Sequence, residues 1–337
     1  MVKIKVFVPT YFKSFKCIAD KCPDTCCVGW EVDIDRKTAE KYKSIGGILG
    51  DKIQKYLTRD ETGCDVFTLC EGDRCPFLNN CNLCEIQLNS GEEGLSKTCS
   101  LFPRFFEDFG KIREMGLGFG CPEAARIMLE DAETFSLEFY EECVDKVEDV
   151  DEDFLSELIE LRAEIFSILE DKELSFRRKA EAVIDLAKAF QQKLDGEAFH
   201  DEPQHRSFED CICILENMEY IREERKEFIL QLKGKKLSKK SLNLYRSDFE
   251  KLLKYYIFRY LLKSVYDVDV LTKVKYGIFA CIIISRIYAY LDSPDFDSRV
   301  KVMFSFSKEV EYSDVNMDLL DNELYASFGT DDLLNLI

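Results

Sequence analysis

The chain has 337 residues, 46% of them hydrophobic, and a formal net charge of −19. A chain of this length can bury a core without covalent staples, and its acidic balance argues against a phosphate backbone as partner, which needs clustered Lys and Arg. No apolar run reaches the roughly 18 residues of a membrane span, and the acidity serves solubility while favouring a basic target such as a lysine-bearing segment.

The first residues alternate: Ile4, Val6 and Val8 are apolar with charge or polarity between them, which predicts a short extended arm ending at Pro9. The opening MVKIKVFVPTYF has neither a continuous apolar stretch nor a small-residue cleavage site, so no secretory leader is expected. Between Cys17 and Cys121 stand eleven of the fifteen cysteines. With no leader, disulfides are disfavoured and a metal is preferred; reduced thiols then imply the cytoplasm. Only Cys81-Asn82-Leu83-Cys84 has the spacing of a zinc knuckle, and neither His lies in this stretch, yet thiolates serve zinc and iron–sulfur clusters alike. The residues leave that choice open. Trp30, the single tryptophan, is expected to pack over the metal site. Short helices are predicted at about 38–43 and 51–57, broken by Gly46-Gly47, and residues 58–100 read as loops punctuated by glycine and asparagine. Loops with so little apolar periodicity are stable when a metal closes them.

Gly116, Gly118 and Gly120 form a G-x-G-x-G run. A dinucleotide turn would need βαβ alternation after it, and the residues beyond Cys121 read as helix; a flexible strand delivering Cys121 is the expectation. From Pro122 onward helices are predicted at about 123–147, 152–171, 173–194, 206–232, 242–265, 270–292, 297–311 and 314–327. The segment KVKYGIFACIIISRIYAYL is apolar almost all round, which marks a central buried helix. The lysine-rich stretch 233–240 reads as a solvated loop, and the acidic run Asp149–Asp153 as a linker.

Taken in order, Cys17-x₄-Cys22-x₃-Cys26-Cys27-x-Gly29-Trp30, then Cys75-Pro76-Phe77-Leu78, Cys84-x-Ile86, Cys99-x₃-Pro103-Arg104 and Cys121-Pro122-Glu123-Ala124-Ala125-Arg126 resemble the flagellin lysine-N-methylase family. The early part also resembles zinc- or iron-chelating cysteine-cluster proteins. The resemblance covers residues 9–127. It implies a mainly α fold with few short strands, in which an irregular cysteine-rich metal-binding module (1–127) packs on a multi-helix domain (128–337). It implies a protein lysine N-methyltransferase using S-adenosylmethionine on an exposed lysine of flagellin. Cys17, Cys22, Cys26, Cys27, Cys75, Cys84, Cys99 and Cys121 would be the metal ligands, for an iron–sulfur cluster of the 4Fe–4S type with zinc as the alternative. Cys64, Cys70 and Cys81 fall outside the pattern and read as spare thiols. A metal module with a helical interaction domain and no catalysis is the other reading.

Lysine methylation requires a neutral amine from a group whose ordinary pKa is near 10.4, so the site must desolvate it or accept its proton. Tyr255, Tyr256, Tyr260, Tyr288 and Tyr290 are aromatic candidates, with packing as the favoured role. His200 and His205, in a loop around Pro203, are weak candidates for a base. Arg104 is the candidate for holding a carboxylate of the cofactor by a forked contact.

Overall fold

The computed structural model describes residues 1–131 and 135–337. The chain opens with β1 (Val2–Pro9), the predicted arm. The cysteine segment comes after it: β2 (Asp33–Ile34), α1 (Arg36–Lys43), α2 (Gly47–Tyr56), β3 (Leu57–Arg59), β4 (Asp65–Phe67), α3 (Glu85–Ser90) and α4 (Lys97–Leu101). Asp35 organises it. One carboxylate oxygen accepts from the Thr38 backbone N–H at 3.1 Å, capping α1, and the other accepts from that of Lys97 at 2.9 Å, fixing the start of α4. β2, β4 and β3 form a small sheet. The segment's own core is slight, centred on Ile34, Tyr42, Ile53, Phe67 and Phe77.

β5 (Arg104–Phe109), β6 (Ile112–Leu117), α5 (Pro122–Glu130) and β7 (Leu137–Val144) come next. The larger sheet has the order β5-β6-β1-β7, so the first strand of the chain lies inside it, parallel to β6 and antiparallel to β7. The helix predicted over 123–147 is therefore corrected: it ends at Glu130, residues 132–134 lie outside the described residues, and 137–144 is a strand. Pairing along the whole of β1 overrides the local helical reading. β7 is an edge strand. Its carboxylates meet cross-strand cations, Lys3 with Glu141 at 2.6 Å and Lys13 with Glu138 at 3.1 Å, and such charges discourage edge-to-edge pairing.

The remainder is helical, as expected: α6 (Glu152–Glu170), α7 (Phe176–Asp195), α8 (Phe208–Glu216), α9 (Glu223–Leu230), α10 (Ser241–Leu244), α11 (Arg246–Tyr260), α12 (Ser264–Asp267), α13 (Val270–Tyr290), α14 (Phe296–Val310), α15 (Asp314–Ala326) and α16 (Thr330–Leu336). α13 is buried from Val270 to Tyr288 and forms the axis of the body. On α6, Leu155, Leu158, Leu161, Ile165 and Leu169 face the core at helical spacing. Two predicted helices are broken. The one at 206–232 becomes α8 and α9, because the turn between them is held from outside: Asn316 accepts from the Glu219 N–H at 2.8 Å and Glu309 from the Ile221 N–H at 2.6 Å. The one at 242–265 divides into α10, α11 and α12. The short α16 lies beyond the last predicted helix. Among the described residues no helix is long and apolar enough to cross a membrane.

Sheet and helices share one core, which runs from Tyr11 and Phe15 through Phe119 to α13. Position 127 lies inside α5. Arg162 of α6 reaches the sheet and forms a buried 2.5 Å ion pair with Glu114. The cysteine loop docks by a second buried carboxylate. Asp24 accepts from Lys308 of α14 at 3.0 Å, from Arg225 of α9 at 2.9 Å and from Arg222 at 3.3 Å, and Lys308 also donates to the Thr25 carbonyl at 2.6 Å. Beside it Gly29 adopts φ +103°, where a Cβ would overlap Ile221. Burial opposes the Asp24 charge, but Lys308 and the neighbouring donors outweigh it and lower its pKa. A depressed carboxylate contributes stability above its unfolded pKa of about 3.9 and loses that contribution as pH falls through the folded value.

Replacing Asp24 with Ala leaves Lys308, 1% exposed, buried without its countercharge, and breaking such a pair costs about 3–5 kcal/mol. Urea denaturation at pH 7 monitored by Trp30 fluorescence should show this loss. A difference that shrinks as the pH is lowered toward 3 would carry the predicted sign, and a loss under about 1 kcal/mol would place the anchor elsewhere.

Candidate functional site

All fifteen cysteines are free thiols. The eight that share the motif are gathered from five separate stretches of the first 121 residues. The Cys75 N–H donates to the Cys27 carbonyl at 2.9 Å, and Cys84 faces Leu78 across an isolated bridge. Ser96 caps α4 through the Cys99 N–H at 3.2 Å. Cys121 stands at the head of α5.

The thiols influence one another electrostatically, with Cys26 in common. Cys75 and Cys84 act on Cys27 and Cys99, Cys26 acts on all four, and burial, aided by Cys99, Cys84 and Cys75, raises the Tyr42 hydroxyl. Cys17 and Cys26 act on Cys22, and Cys22 and Cys26 act on Cys121. The Cys26 Sγ lies 3.9 Å from that of Cys27. The shared hydrogen bond brings Cys26 down to about 7 and raises Cys27. Burial pushes Cys75 up to about 11 and Cys99 and Cys121 up to about 12. Such thiols hold their protons at neutral pH unless a cation compensates them. Among the described residues no three His, Cys, Asp or Glu side chains converge as a ready site for one metal ion. Cys64 and Cys81 are exposed, on turns built by Asp60 and Asn79.

Behind Cys121 lies a buried polar hub. Glu311, at the end of α14 and with a fully buried side chain, accepts from the hydroxyls of Tyr255 at 2.9 Å, Tyr256 at 3.2 Å and Tyr260 at 2.9 Å. Arg259 pairs with Glu311 at 3.2 Å, donates to Tyr255, and stacks over the rings of Phe105, Tyr260 and Tyr312. Burial is the main cause that drives the three tyrosine hydroxyls well above their ordinary value, so they remain donors. The glycine run makes room for this hub. A Cβ on Gly118 would overlap the Tyr312 hydroxyl, and one on Gly120 would press on its ring. The run therefore serves close packing of an aromatic residue. Trp30 stacks on Tyr312 at 5.7 Å, with Phe102 at 5.9 Å and the Lys308 ammonium 4.9 Å from its ring. Its partners are thus on the helical body and on the segment after Cys99.

Arg104 lies at the start of β5 with its guanidinium over Phe15 at 5.0 Å and Phe12 at 5.9 Å. Among the described residues no carboxylate pairs with it. Of the tyrosine candidates, Tyr288 donates to Asp248 at 3.3 Å and Tyr290 to Gln231 at 3.0 Å, so all five are engaged in the body. His200 and His205 are exposed loop residues. Sequence reasoning missed Asp24, Lys308, Glu311 and Tyr312. The available signal was the charged cluster Lys308-Glu309-Val310-Glu311 closing an otherwise apolar helix face.

No protein-family model matches the chain, and no solved structure does. A stretch of 142 residues, 41% of the chain, is 30% identical to the flagellar biosynthetic protein FliU of Salmonella muenchen and covers 84% of that protein. At the same identity and length the chain matches the lysine-N-methylases of Salmonella typhimurium and Salmonella choleraesuis, of which it spans 35%, about a third. With most of FliU covered, and with the cysteine pattern in place, the chain belongs to the family of FliU and the flagellin lysine-N-methylases.

Proposed function

We propose that the protein is a lysine N-methyltransferase that uses S-adenosylmethionine, acts on a lysine-bearing protein of the flagellin type in the cytoplasm, and carries an iron–sulfur cluster on its gathered cysteines. The observation that carries this reading is the 142-residue likeness to lysine-N-methylases. The transfer forms a C–N bond to the neutral lysine amine and breaks the S–CH₃ bond, whose electron pair returns to sulfur; the amine then sheds one proton. The formal charge of −19 favours approach of a basic segment.

The donor set fits a cluster. It consists of thiols without imidazole, free of disulfides and close enough to couple. A single zinc ion would need four donors at about 2.3 Å, and thiolates serve iron–sulfur clusters as well; either group would have to draw these thiols together. Cys27, Cys75, Cys84 and Cys99 would hold the cluster, with Cys17, Cys22, Cys26 and Cys121 adjacent. When bound, the cluster supplies a redox-active iron centre and closes loops that have little core of their own. Arg104, with no countercharge, is a candidate for a carboxylate near this site.

Protein purified without oxygen should contain iron and acid-labile sulfide. Cys84→Ser and Cys99→Ser should lose most of the iron, while Cys64→Ser and Cys81→Ser keep it. Stoichiometric zinc without sulfide would overturn the cluster.

The activity is tested by transfer of an isotope-labelled methyl group from S-adenosylmethionine to flagellin of the same cell, with mass mapping of the modified lysines. Label on lysine ε-amines, lost together with the metal in Cys99→Ser, is the expected result. Metal-replete protein that binds a partner but labels no lysine would instead be a non-catalytic cysteine-cluster interaction module.

A further inference from the structure

A cavity of about 610 Å³ lies where the cysteine loop meets the helical body. Its inner wall is apolar: Phe228 and Ile229 of α9, Ile287 of α13, and Val302, Phe306 and Val310 of α14. One end is closed by Pro23 and Asp24 of the cysteine loop. That end is also where charge collects, in Asp24, Arg222, Arg225, Glu224 and Glu309. Arg225 bridges Asp24 at 2.9 Å and Glu309 at 2.6 Å, which consumes the inner charges. Arg222 and Glu224 sit further out: Arg222 donates to Asp24 at 3.3 Å and lies 3.8 Å from Glu224. The site thus offers a guanidinium and a carboxylate side by side at the mouth of an apolar pocket.

We propose that this cavity binds the methyl donor, with its adenosyl group against the apolar wall and its amino-acid head at the charged end. The inference rests on the methyltransferase reading and supplies the donor site that no glycine-rich turn in this chain provides. The volume falls in the range of about 300–1,000 Å³ usual for small-molecule sites, which are mostly apolar with a few placed polar groups. A flat purine stacks on aromatic faces such as Phe228 and Phe306. The head group is a zwitterion. Arg222 matches its carboxylate by a forked contact, and Glu224 matches its ammonium. A single lysyl side chain would leave most of this volume empty. A donor at this end lies against the cysteine loop, because Pro23 and Asp24 line the cavity. Arg104 is not on this wall, and Arg222 takes the carboxylate-binding role here.

The test uses the metal-replete full chain and two probes, S-adenosylmethionine and adenosine, measured by calorimetry. Ser305 lines the cavity and is partly exposed, so Ser305→Trp fills the space without removing a core side chain. It should weaken both probes at least about tenfold, a loss large enough to read directly. Arg222→Gln leaves the apolar wall intact and should weaken S-adenosylmethionine while adenosine binds as before. Unchanged donor binding in Ser305→Trp, with the fold verified by circular dichroism, overturns the cavity assignment and leaves the methyltransferase reading standing. If Ser305→Trp does not fold, Arg222→Gln decides, and equal binding of both probes to it and to the parent overturns the assignment. If the parent protein binds no donor at all, the methyltransferase reading falls and the cavity assignment falls with it.

Discussion

The aromatic hub behind the cysteine segment depends on one carboxylate whose side chain is fully buried. Taking an ion of this kind out of water costs several kcal/mol, and the deficit is met only when every lone pair finds a donor in good geometry. Glu311 meets that demand with three tyrosine hydroxyls and a guanidinium. The donors come from successive turns of α11, so the helix cannot rotate or slide without stranding the charge. Arg259 carries the constraint outward to Tyr312, and Tyr312 to Trp30 and the glycine strand. A chain of packed rings and one ion pair thus fixes where Cys121 stands relative to Cys26 and Cys27.

Much of the fold was legible because its signals are periodic. α6, α7, α14 and α15, the buried α13 and the N-terminal arm follow from apolar spacing and caps. The failures have a common cause. Residues 137–144 carry aromatic and acidic side chains compatible with either state, and only the partner strand, more than 100 positions earlier, decides for β. The turn between α8 and α9 is likewise set by Asn316 and Glu309, which sequence proximity does not place there.

At the site, the eight cysteines and their shared role were visible as a spacing pattern. The central position of Cys26 among them was not, since it depends on how the later cysteine stretches fold back on the Cys26-Cys27 turn. Asp24 sits inside the motif, where it reads as an ordinary loop acid. Its meaning appears only when α9 and α14 bring three cations to it. The G-x-G-x-G run shows the same limit. Alternate glycines signal that something large approaches the backbone, but only the fold names it, Phe105 at Gly116 in β6 and Tyr312 at Gly118 and Gly120 beyond the strand.

The placement of β1 inside the sheet sets an order of events during synthesis. It is made well before its pairing partners, residues 112–114 and 137–144. Closure of the sheet must wait for well over a hundred further residues, and contacts so distant in sequence form slowly. Through that interval Ile4, Val6 and Val8 have no apolar surface to cover, while Lys3 and Lys5 on the alternate positions keep the nascent strand solvated. The cysteine segment emerges as an open loop in the meantime, and the strands that later zip together at its two ends seal it. Any inorganic cargo for the thiols thus meets the most accessible form of the segment on the growing chain, before Val144 reaches Val2.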